Sequence, residues 1–446
     1  MEVPITGRFE WIWLVLGGSA YVYYLVLKLP KGIPRLLALV PLLPFYIIVS
    51  WRGQTCLERA LLSFFFLWMG IFKLIMVAYE YGPATDPWII SSFSCFLTGM
   101  SFSMHMNPDP LPMTSSEPQE QTDGREEVKH KVSSLTVGKN GNGLHSRKGG
   151  NRWNETAVAG KERRQEILSK LKSRSRSRVV GGVPRWLEFF AYSLDWRVVL
   201  LRCLFYLAFV GVWVQQYMTQ AHIPQLILYF SYSILLYTGV LLVFELPAAI
   251  AASVFKVELP AQFNMPFLAT SIADFWGRRW NLLVNNLLRV SIYIPILQAF
   301  GGRSGKRPSF QVKVLAVLAS FTVSGIMHEI IFFYMSRTAP TFEATMFFVL
   351  NGAGTLLESW LQRKKYYNPS KLMGWFVTFC FVFFTAAWLF FPPLVRDGSD
   401  RQIIKELNRF VLWIRDLAFN SSRGFIGWVF AGSMFHTSES ELGTAE

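Results

Sequence analysis

The chain has 446 residues, of which 52% are hydrophobic and 16% aromatic, and only 16% are charged. Soluble globular domains contain roughly 25% charged residues, so this composition excludes a soluble protein and indicates a membrane protein. The formal net charge of +15 could attract nucleic acid, but it is equally expected of a multispan membrane protein with basic cytosolic loops. We therefore expect a lipid bilayer as partner and no nucleic acid.

Apolar runs of the length that crosses a bilayer, roughly 20 residues, recur along the chain. Nine of them predict transmembrane helices: Trp11–Leu27, Ile33–Ser50, Ala60–Ala78, Trp88–Met104, Val198–Val214, Ile223–Phe244, Val314–Phe333, Ala344–Trp360 and Met373–Leu394. Two weaker runs, Leu282–Phe300 and Phe410–Phe430, contain charged residues and favour amphipathic, re-entrant or tilted helices. The predicted fold is an all-α, polytopic membrane helix bundle.

The N-terminal segment Met1–Glu10 has one Arg and two Glu before the first run, and no small-residue cleavage pattern follows. We therefore expect the first run to remain as a span rather than to be removed as a signal peptide. The four cysteines are far apart and lie in or beside apolar runs. This spacing predicts neither a metal site nor a disulfide framework.

Residues 107–182, between the fourth and fifth predicted spans, are rich in Ser, Gly, Pro, Lys and Arg and have no apolar periodicity. This composition predicts a disordered basic insert. Its Ser/Arg tract Lys172–Arg178 fits a solvated linker; a phosphorylation site or a patch attracted to anionic headgroups is the alternative. The chain then divides into N-terminal helices (1–106), this insert (107–182), a transmembrane core (183–430) and a polar acidic tail (431–446).

Lysine and arginine are unevenly divided between the loops, which predicts the orientation of the bundle. If Leu282–Phe300 does not cross the bilayer, most basic loop residues share one side, which we expect to be cytosolic. The first loop, with Lys28, Lys31 and Arg35, is the exception. The sequon at Asn154 lies in the insert, so in this orientation we expect it to stay unglycosylated.

One histidine lies inside a predicted span: His328 is followed directly by Glu329. An ionisable residue deep in a membrane costs a few kcal/mol by insertion scales and usually faces a bundle interior or a wet cavity. Ser324 and Gly325, one turn earlier, are small, which leaves room for a substrate or allows close helix packing. We predict that His328 is a catalytic base. Glu329 lies about 100° around the helix and is expected to bond a neighbouring helix or to line the same cavity.

The second motif, Asp274–Asn281 (Asp-Phe-Trp-Gly-Arg-Arg-Trp-Asn), precedes the ambiguous run Leu282–Phe300. It concentrates an acid, two Trp, two Arg and an Asn in one short segment. Arginine forks bind phosphates and tryptophan faces stack on planar bases, so the motif suits a nucleotide-like, polyanionic ligand at the membrane surface. An anchor in the interfacial Arg/Trp belt is the alternative interpretation.

Taken together, Asp274–Asn281 and Val323–Glu329 (Val-Ser-Gly-Ile-Met-His-Glu) resemble the two motifs of the membrane-bound O-acyltransferases. Within that family, the chain is most similar to plant wax synthases and their acyl-CoA:sterol acyltransferase relatives. The similarity is strongest over roughly residues 186–360, within the predicted core. It implies an internal tunnel that receives acyl-CoA from the cytosol and a lipid alcohol from the bilayer, in the endoplasmic reticulum membrane.

The resemblance also implies roles for individual residues. It makes His328 the catalytic histidine and Asn281 a second catalytic residue, and it leaves Glu329 as a candidate beside them. The residues that it places near the acyl-CoA entrance are Asp274, Trp276, Arg278, Arg279 and Trp280. Because acyl-CoA is a substrate, we expect no cofactor and no metal.

These residue types fit esterification of a thioester. The alcohol must lose its proton as its oxygen attacks, and a neutral imidazole with a pKa near 6.5 suits that task. The resulting oxyanion needs a donor, for which Asn281 is the first candidate, because a well-placed donor is worth roughly 2.7–4 kcal/mol.

Three alternatives remain open. A sterol or diacylglycerol is the alternative acceptor to a long-chain alcohol, because all three have one hydroxyl on a large apolar body. A transporter would use a His-Glu pair as a proton relay, but the sequence has no internal repeat and no matching pair of Gly/Pro-broken spans. A structural or receptor protein would leave the Asp274–Asn281 cluster unexplained.

Overall fold

The computed structural model describes residues 10–80, 196–219, 223–255, 262–300, 308–413 and 415–416. Helices dominate these residues, and none of them belongs to a β-strand. The predicted all-α, polytopic fold class is therefore confirmed. The predicted span Trp88–Met104, the insert (107–182), the acidic tail (431–446) and most of Phe410–Phe430 lie outside the described residues.

The longer helices of the described part of the chain are numbered in order. They are α1 Glu10–Tyr24, α2 Ile33–Arg52, α3 Cys56–Tyr79, α4 Trp196–Thr219, α5 Gln225–Phe255, α6 Leu282–Phe300, α7 Phe310–Ser336, α8 Glu343–Arg363, α9 Lys371–Arg396 and α10, residues 399–413. Three of them contain a π-helical segment, which is Ser63–Gly70 in α3, Arg289–Tyr293 in α6 and Ala386–Phe390 in α9.

Seven of the described helices are long and apolar enough to cross a membrane, namely α2, α3, α4, α5, α6, α7 and α9. Six of these coincide with predicted spans. The seventh, α6, is the run for which the sequence favours an amphipathic or re-entrant helix. The predicted orientation depends on that helix and stays a prediction.

Two further predicted spans form helices that do not meet this standard. Helix α1 has 15 described residues, fewer than a crossing requires. Helix α8 has 21 residues but includes the buried polar side chains of Asn351 and Glu358. A helix that is packed between others can bury polar groups that lipid would exclude.

Glycine allows helices α7 and α8 to pack very closely. A Cβ atom at Gly325 would lie 2.6 Å from the Cα of Thr345, and one at Gly352 would lie 2.9 Å from the ring of Phe321. No other residue fits so near a facing backbone or ring. The absence of a side chain at Gly325 therefore serves helix packing, which is one of the two roles expected for this residue.

Charged side chains cap several helix ends. The carboxylate of Glu406 accepts a hydrogen bond from the backbone N–H of Cys56 at the start of α3 (2.8 Å). The guanidinium of Arg59 donates to the carbonyl of Met335 at the end of α7 (2.7 Å). Helix ends have unpaired backbone groups that need such partners. Glu406 and Arg59 therefore stabilise the start of α3 and the end of α7.

Arg35 explains part of the unusual charge of the first loop. Its side chain is buried, and it donates to the carbonyls of Leu29 (2.8 Å) and Val77 (3.3 Å). It also forms an ion pair with Glu80 (3.0 Å). Its charge therefore holds the start of α2 against the end of α3 rather than acting as a free loop charge.

Candidate active site

The imidazole of His328 lies within a layer of aromatic rings. It stacks on Phe348 of α8, with ring centres 4.3 Å apart, and meets Trp68 of α3 edge to face at 4.9 Å. Phe390 of α9 approaches it at 5.7 Å. Trp68 and Phe390 belong to π-helical segments, which occur frequently at functional sites. The ring itself stays half-buried.

The hydrogen bond of His328 defines its tautomer. Its Nδ1 lies 2.7 Å from the carbonyl oxygen of Ser324. A carbonyl oxygen only accepts, so Nδ1 carries the proton of the neutral ring and Nε2 keeps a free lone pair. His328 is thus prepared to act as a base through Nε2, and Ser324 contributes its backbone rather than its hydroxyl.

Glu329 points toward the neighbouring helix. Its side chain is buried, and its Oε1 accepts a hydrogen bond from the backbone N–H of Thr345 (3.1 Å), the third residue of α8. A carboxylate at a helix N-terminus satisfies an unpaired donor and the helix dipole. Glu329 therefore ties α7 to α8, which is the neighbouring-helix bond expected from its position.

The structure separates the two arginines of the second motif. Arg279 is buried, with its Nε 2.5 Å from Asp274 and its Nη1 donating to the carbonyl of Asn264 (3.2 Å). Arg278 also pairs with Asp274 (3.1 Å), but 74% of its side chain is exposed. The resemblance in sequence places Arg279 near the acyl-CoA entrance. In the structure its donors instead bind Asp274 and Asn264 and hold the motif together. Arg278 is the member of the pair that can reach a ligand.

A buried carboxylate anchors the start of the motif to α8. Glu358 accepts a hydrogen bond from the backbone N–H of Ile272 (2.8 Å), and the hydroxyl of Ser271 accepts from the N–H of Asp274 (2.9 Å). These bonds cap the short turn Ile272–Asp274, which continues into the π-helical segment Phe275–Arg279. Sequence analysis missed Glu358, although an acid inside a predicted span is the same signal that identifies His328.

The two tryptophans of the motif pack inside the bundle. Trp280 stacks on Phe275, with ring centres 5.5 Å apart. Trp276 lies 5.5 Å from Phe348, the ring on which His328 stacks. The indole N–H of Trp276 donates to the side chain of Asn351 (3.0 Å), which is fully buried on α8. Trp276 therefore connects the motif to the histidine, and packing takes up the ring faces that a planar base would need.

Asn281 ends the motif and begins α6. Its backbone has a φ of 36°, in the left-handed region that asparagine tolerates better than most residues. Its Oδ1 accepts from the N–H of Val284 (3.2 Å), which caps α6 and leaves the Nδ2 donors of the side chain available. No hydrogen bond joins Asn281 to His328 within the described residues. The helix that Asn281 begins nevertheless packs near His328, because Val284 of α6 belongs to the same buried cluster as Trp68 and Met327.

A cavity of about 260 Å³ opens near the C-terminal end of α7. It is lined by Glu329, Phe332, Phe333, Thr338, Ala339, Pro340, Thr341, Pro393, Arg396 and Asp397. Phe332 on its wall packs 5.4 Å from Phe390, which in turn contacts the ring of His328. The apolar wall of the cavity is thus connected to the imidazole through the ring of Phe390. The lining also includes polar residues such as Thr338 and Asp397.

No group of three or more His, Cys, Asp or Glu side chains that could hold a metal ion occurs among the described residues. Cys56, Cys203 and Cys380 are free thiols, and Cys95 lies outside the described part.

Comparison with known proteins agrees with this geometry. The pattern of the membrane bound O-acyl transferase family matches residues 259–350, which include both motifs. Probable long-chain-alcohol O-fatty-acyltransferase 1 of Arabidopsis thaliana is 27% identical over 95% of this chain and 100% of its own length. Acyl-CoA--sterol O-acyltransferase 1 of the same plant is 27% identical over 88% of this chain and 92% of its own length. Long-chain-alcohol O-fatty-acyltransferase of Simmondsia chinensis is 35% identical over 53% of this chain and 65% of its own length. Both motifs thus lie inside the part of the chain that matches the membrane bound O-acyl transferase family, and relatives named as O-acyltransferases align with most of its length.

Proposed function

We propose that this protein transfers the acyl group of acyl-CoA to a long-chain fatty alcohol, forming a wax ester and releasing CoA. The observation that carries the proposal is the imidazole of His328. Its Nδ1 is bound to the carbonyl of Ser324 and its Nε2 is free to accept a proton. The similarity to long-chain-alcohol O-fatty-acyltransferases supports the choice of substrates.

The reaction follows from the tautomer of His328. As the alcohol oxygen attacks the thioester carbonyl, Nε2 takes the hydroxyl proton and the carbonyl electrons move onto oxygen. The tetrahedral oxyanion then collapses, the C–S bond breaks, and the CoA thiolate takes the proton from the imidazolium. The ester and CoA–SH leave, and the neutral ring is restored without a covalent enzyme intermediate.

The other motif residues take distinct parts in the proposed reaction. We assign the Nδ2 donors of Asn281 to the oxyanion, because its Oδ1 is already used to cap α6. Arg278 is the residue that we assign to the CoA phosphates, since its side chain is exposed. Glu329 and the Asp274–Arg279 pair hold the helices and the motif in place.

We place the alcohol in the cavity near the end of α7. The second motif attaches to α8 through Asn351, near the middle of that helix, and the turn before the motif attaches through Glu358, in its C-terminal half. The cavity lies near the opposite end of α8, where Arg396 pairs with Glu343. Because α7 and α8 run antiparallel, the two substrates would approach His328 from different ends of the helix pair.

A direct assay tests the proposal. Membranes that contain the protein are supplied with labelled acyl-CoA and, in turn, a long-chain alcohol, a sterol and a diacylglycerol. We expect ester from the alcohol; a preference for the sterol would favour the second candidate, to which the sterol O-acyltransferase relative points. If all three acceptors stay unesterified while a control acyltransferase works, the proposal is wrong. Proton flux in liposomes without turnover would favour a transporter instead.

We also propose that the protein resides in the endoplasmic reticulum membrane. The family and the seven apolar helices show a multi-pass membrane protein, and acyl-CoA and lipid alcohols meet at that membrane in the proposed reaction. Co-fractionation of the expressed protein with marker proteins of each organelle checks the location. Recovery in another membrane would contradict it.

A further inference from the structure

Trp68 has a buried hydrogen-bond donor without a partner. Its side chain is 1% exposed, and its Nε1–H meets no acceptor among the described residues. A buried donor that is left unpaired is unfavourable, and native proteins contain few of them. A hydroxyl can rotate toward a helix carbonyl, whereas the direction of an indole N–H is fixed by its ring. The unpaired donor of Trp68 therefore calls for a ligand.

The position of Trp68 suggests which ligand this is. Its ring centre lies 4.9 Å from that of His328, with the planes 77° apart. Among the buried polar atoms without a partner in the described structure, only Trp68 Nε1 belongs to a ring that contacts His328. The same tryptophan shares a buried cluster with Val284, whose N–H is bonded to Asn281. Trp68 thus contacts the ring of the proposed base and shares a buried cluster with the helix that the proposed oxyanion donor caps.

Trp68 belongs to a buried apolar cluster. The cluster includes Met69, Phe72 and Met327, none of which accepts a strong hydrogen bond. Phe64 also contacts the indole, with ring centres 5.6 Å apart. Trp68 also lies within the π-helical segment Ser63–Gly70. The indole is therefore fixed in an apolar environment, where a hydrogen bond to a developing charge is strongest.

We propose that Trp68 is a further catalytic residue, whose indole N–H donates to the thioester carbonyl oxygen of acyl-CoA. This inference rests on the proposed function. The donor gains strength as the carbonyl electrons move onto oxygen, so its contribution is largest in the transition state. Together with Asn281 it would form a two-donor oxyanion site, one donor from α3 and one from the start of α6. In the proposed arrangement the reacting carbon would lie within reach of His328 and both donors, as acyl transfer requires.

The decisive variants remove the N–H and keep the ring. Trp68→Phe retains an aromatic side chain, and site-specific incorporation of 3-benzothienylalanine retains the full bicyclic shape with sulfur in place of the N–H. We expect both to lower kcat by about 10²-fold, as removal of one oxyanion donor does, with the KM for acyl-CoA changed less than threefold. Trp413→Phe, on the exposed side of α10, is the matched control and should keep wild-type kinetics.

A spectroscopic measurement separates the proposed contact from packing. In a His328→Ala background, which should not turn over, acyl-CoA labelled with ¹³C at its carbonyl is bound and its carbonyl stretch recorded. We expect a lower frequency with Trp68 than with the benzothienyl analogue, because a hydrogen bond weakens the C=O bond. An unchanged frequency, or a kcat of the analogue within threefold of wild type, would overturn the inference. If the wild type is active and the variants show either of these two results, only the role of Trp68 is refuted. If the wild type itself is inactive, the proposed function is refuted as well.

Discussion

Replacement of His328 by asparagine removes the base and keeps the hydrogen bond to Ser324. An asparagine amide can still donate to the carbonyl of Ser324, as Nδ1 does at 2.7 Å, but it has no basic nitrogen. We expect kcat to fall by roughly 10²–10⁴, which corresponds to about 2.7–5.4 kcal/mol of barrier at 1.36 kcal/mol for each factor of ten. The KM for acyl-CoA should change little, because the proton is transferred only in the transition state.

The packing of the ring makes a separate contribution to stability. His328 contacts three aromatic rings, and such contacts are worth about 0.5–1.5 kcal/mol each. Loss of the ring in His328→Ala is therefore expected to lower the free energy of unfolding by about 1.5–4.5 kcal/mol. Phe348→Leu is the matched control, because it removes the stacked ring and keeps the base.

Purified protein in nanodiscs allows both quantities to be measured on the same sample. Ester formation from labelled acyl-CoA gives kcat and KM, and thermal denaturation gives stability. We expect Phe348→Leu to lose stability with less than a tenfold loss of kcat, and His328→Asn to lose stability together with at least about 10²-fold in kcat. A folded His328→Asn protein that esterifies within tenfold of wild type would make the histidine structural and refute the reasoning.

Four other outcomes are expected. Arg278→Ala should raise the KM for acyl-CoA with kcat nearly unchanged, since the exposed guanidinium contributes ground-state binding; equal kinetics would remove it from the CoA site. Arg279→Ala should instead lower the free energy of unfolding, by at most about 3–5 kcal/mol, because the buried carboxylate of Asp274 then keeps only the exposed guanidinium of Arg278 as its ion-pair partner; a fully stable variant with a raised KM would restore Arg279 as a ligand residue. Asn281→Ala should lower kcat by about 10²–10³-fold at similar KM, provided that gel filtration shows α6 still folded without its cap. Ala339→Phe, which narrows the cavity, should raise the KM for the alcohol and not that for acyl-CoA, and the reverse would place the alcohol elsewhere.

Much of the fold can be predicted from the sequence because lipid-crossing helices need long apolar runs, which is a local property. Six predicted spans appear as helices that meet the length and composition of a crossing. Helix α8 shows the limit of this reasoning. Its run length predicts a span, but Asn351 and Glu358 have their bonding partners on distant segments, and these partners depend on tertiary packing. The π-helical segments are equally hidden, because no residue pattern in Ser63–Gly70 distinguishes it from an α-helix.

The sequence predicts the parts of the candidate site that depend on local helix geometry, but not those that depend on tertiary packing. Helix geometry alone places Ser324 and Gly325 one turn from His328, and the structure gives Ser324 the hydrogen bond to the ring. The motif Asp274–Asn281 is different, because Arg278 and Arg279 have the same chemistry in sequence. Burial separates them, and burial depends on where the chain turns back at Asn264. Trp68 lies far from both motifs in sequence. Its unpaired N–H cannot be predicted from the residue type, because it depends on which atoms surround the indole in the folded chain.

The irregular helices of this protein share a location. The rings that frame His328 include Trp68 in the π-helical segment of α3 and Phe390 in that of α9. Trp276, which contacts Phe348 behind the histidine, lies in the π-helical segment Phe275–Arg279. A π-turn inserts an extra residue into a helix at a cost in regularity, and such insertions persist mainly where function needs them. Two of these segments contact the imidazole and the third contacts its stacking partner Phe348, so the helices depart from regular α-helix where they carry the aromatic rings of this layer. Trp68, whose unpaired indole N–H we assign to the substrate carbonyl, lies in one of them, so its backbone belongs to a segment of the kind that persists where function needs it.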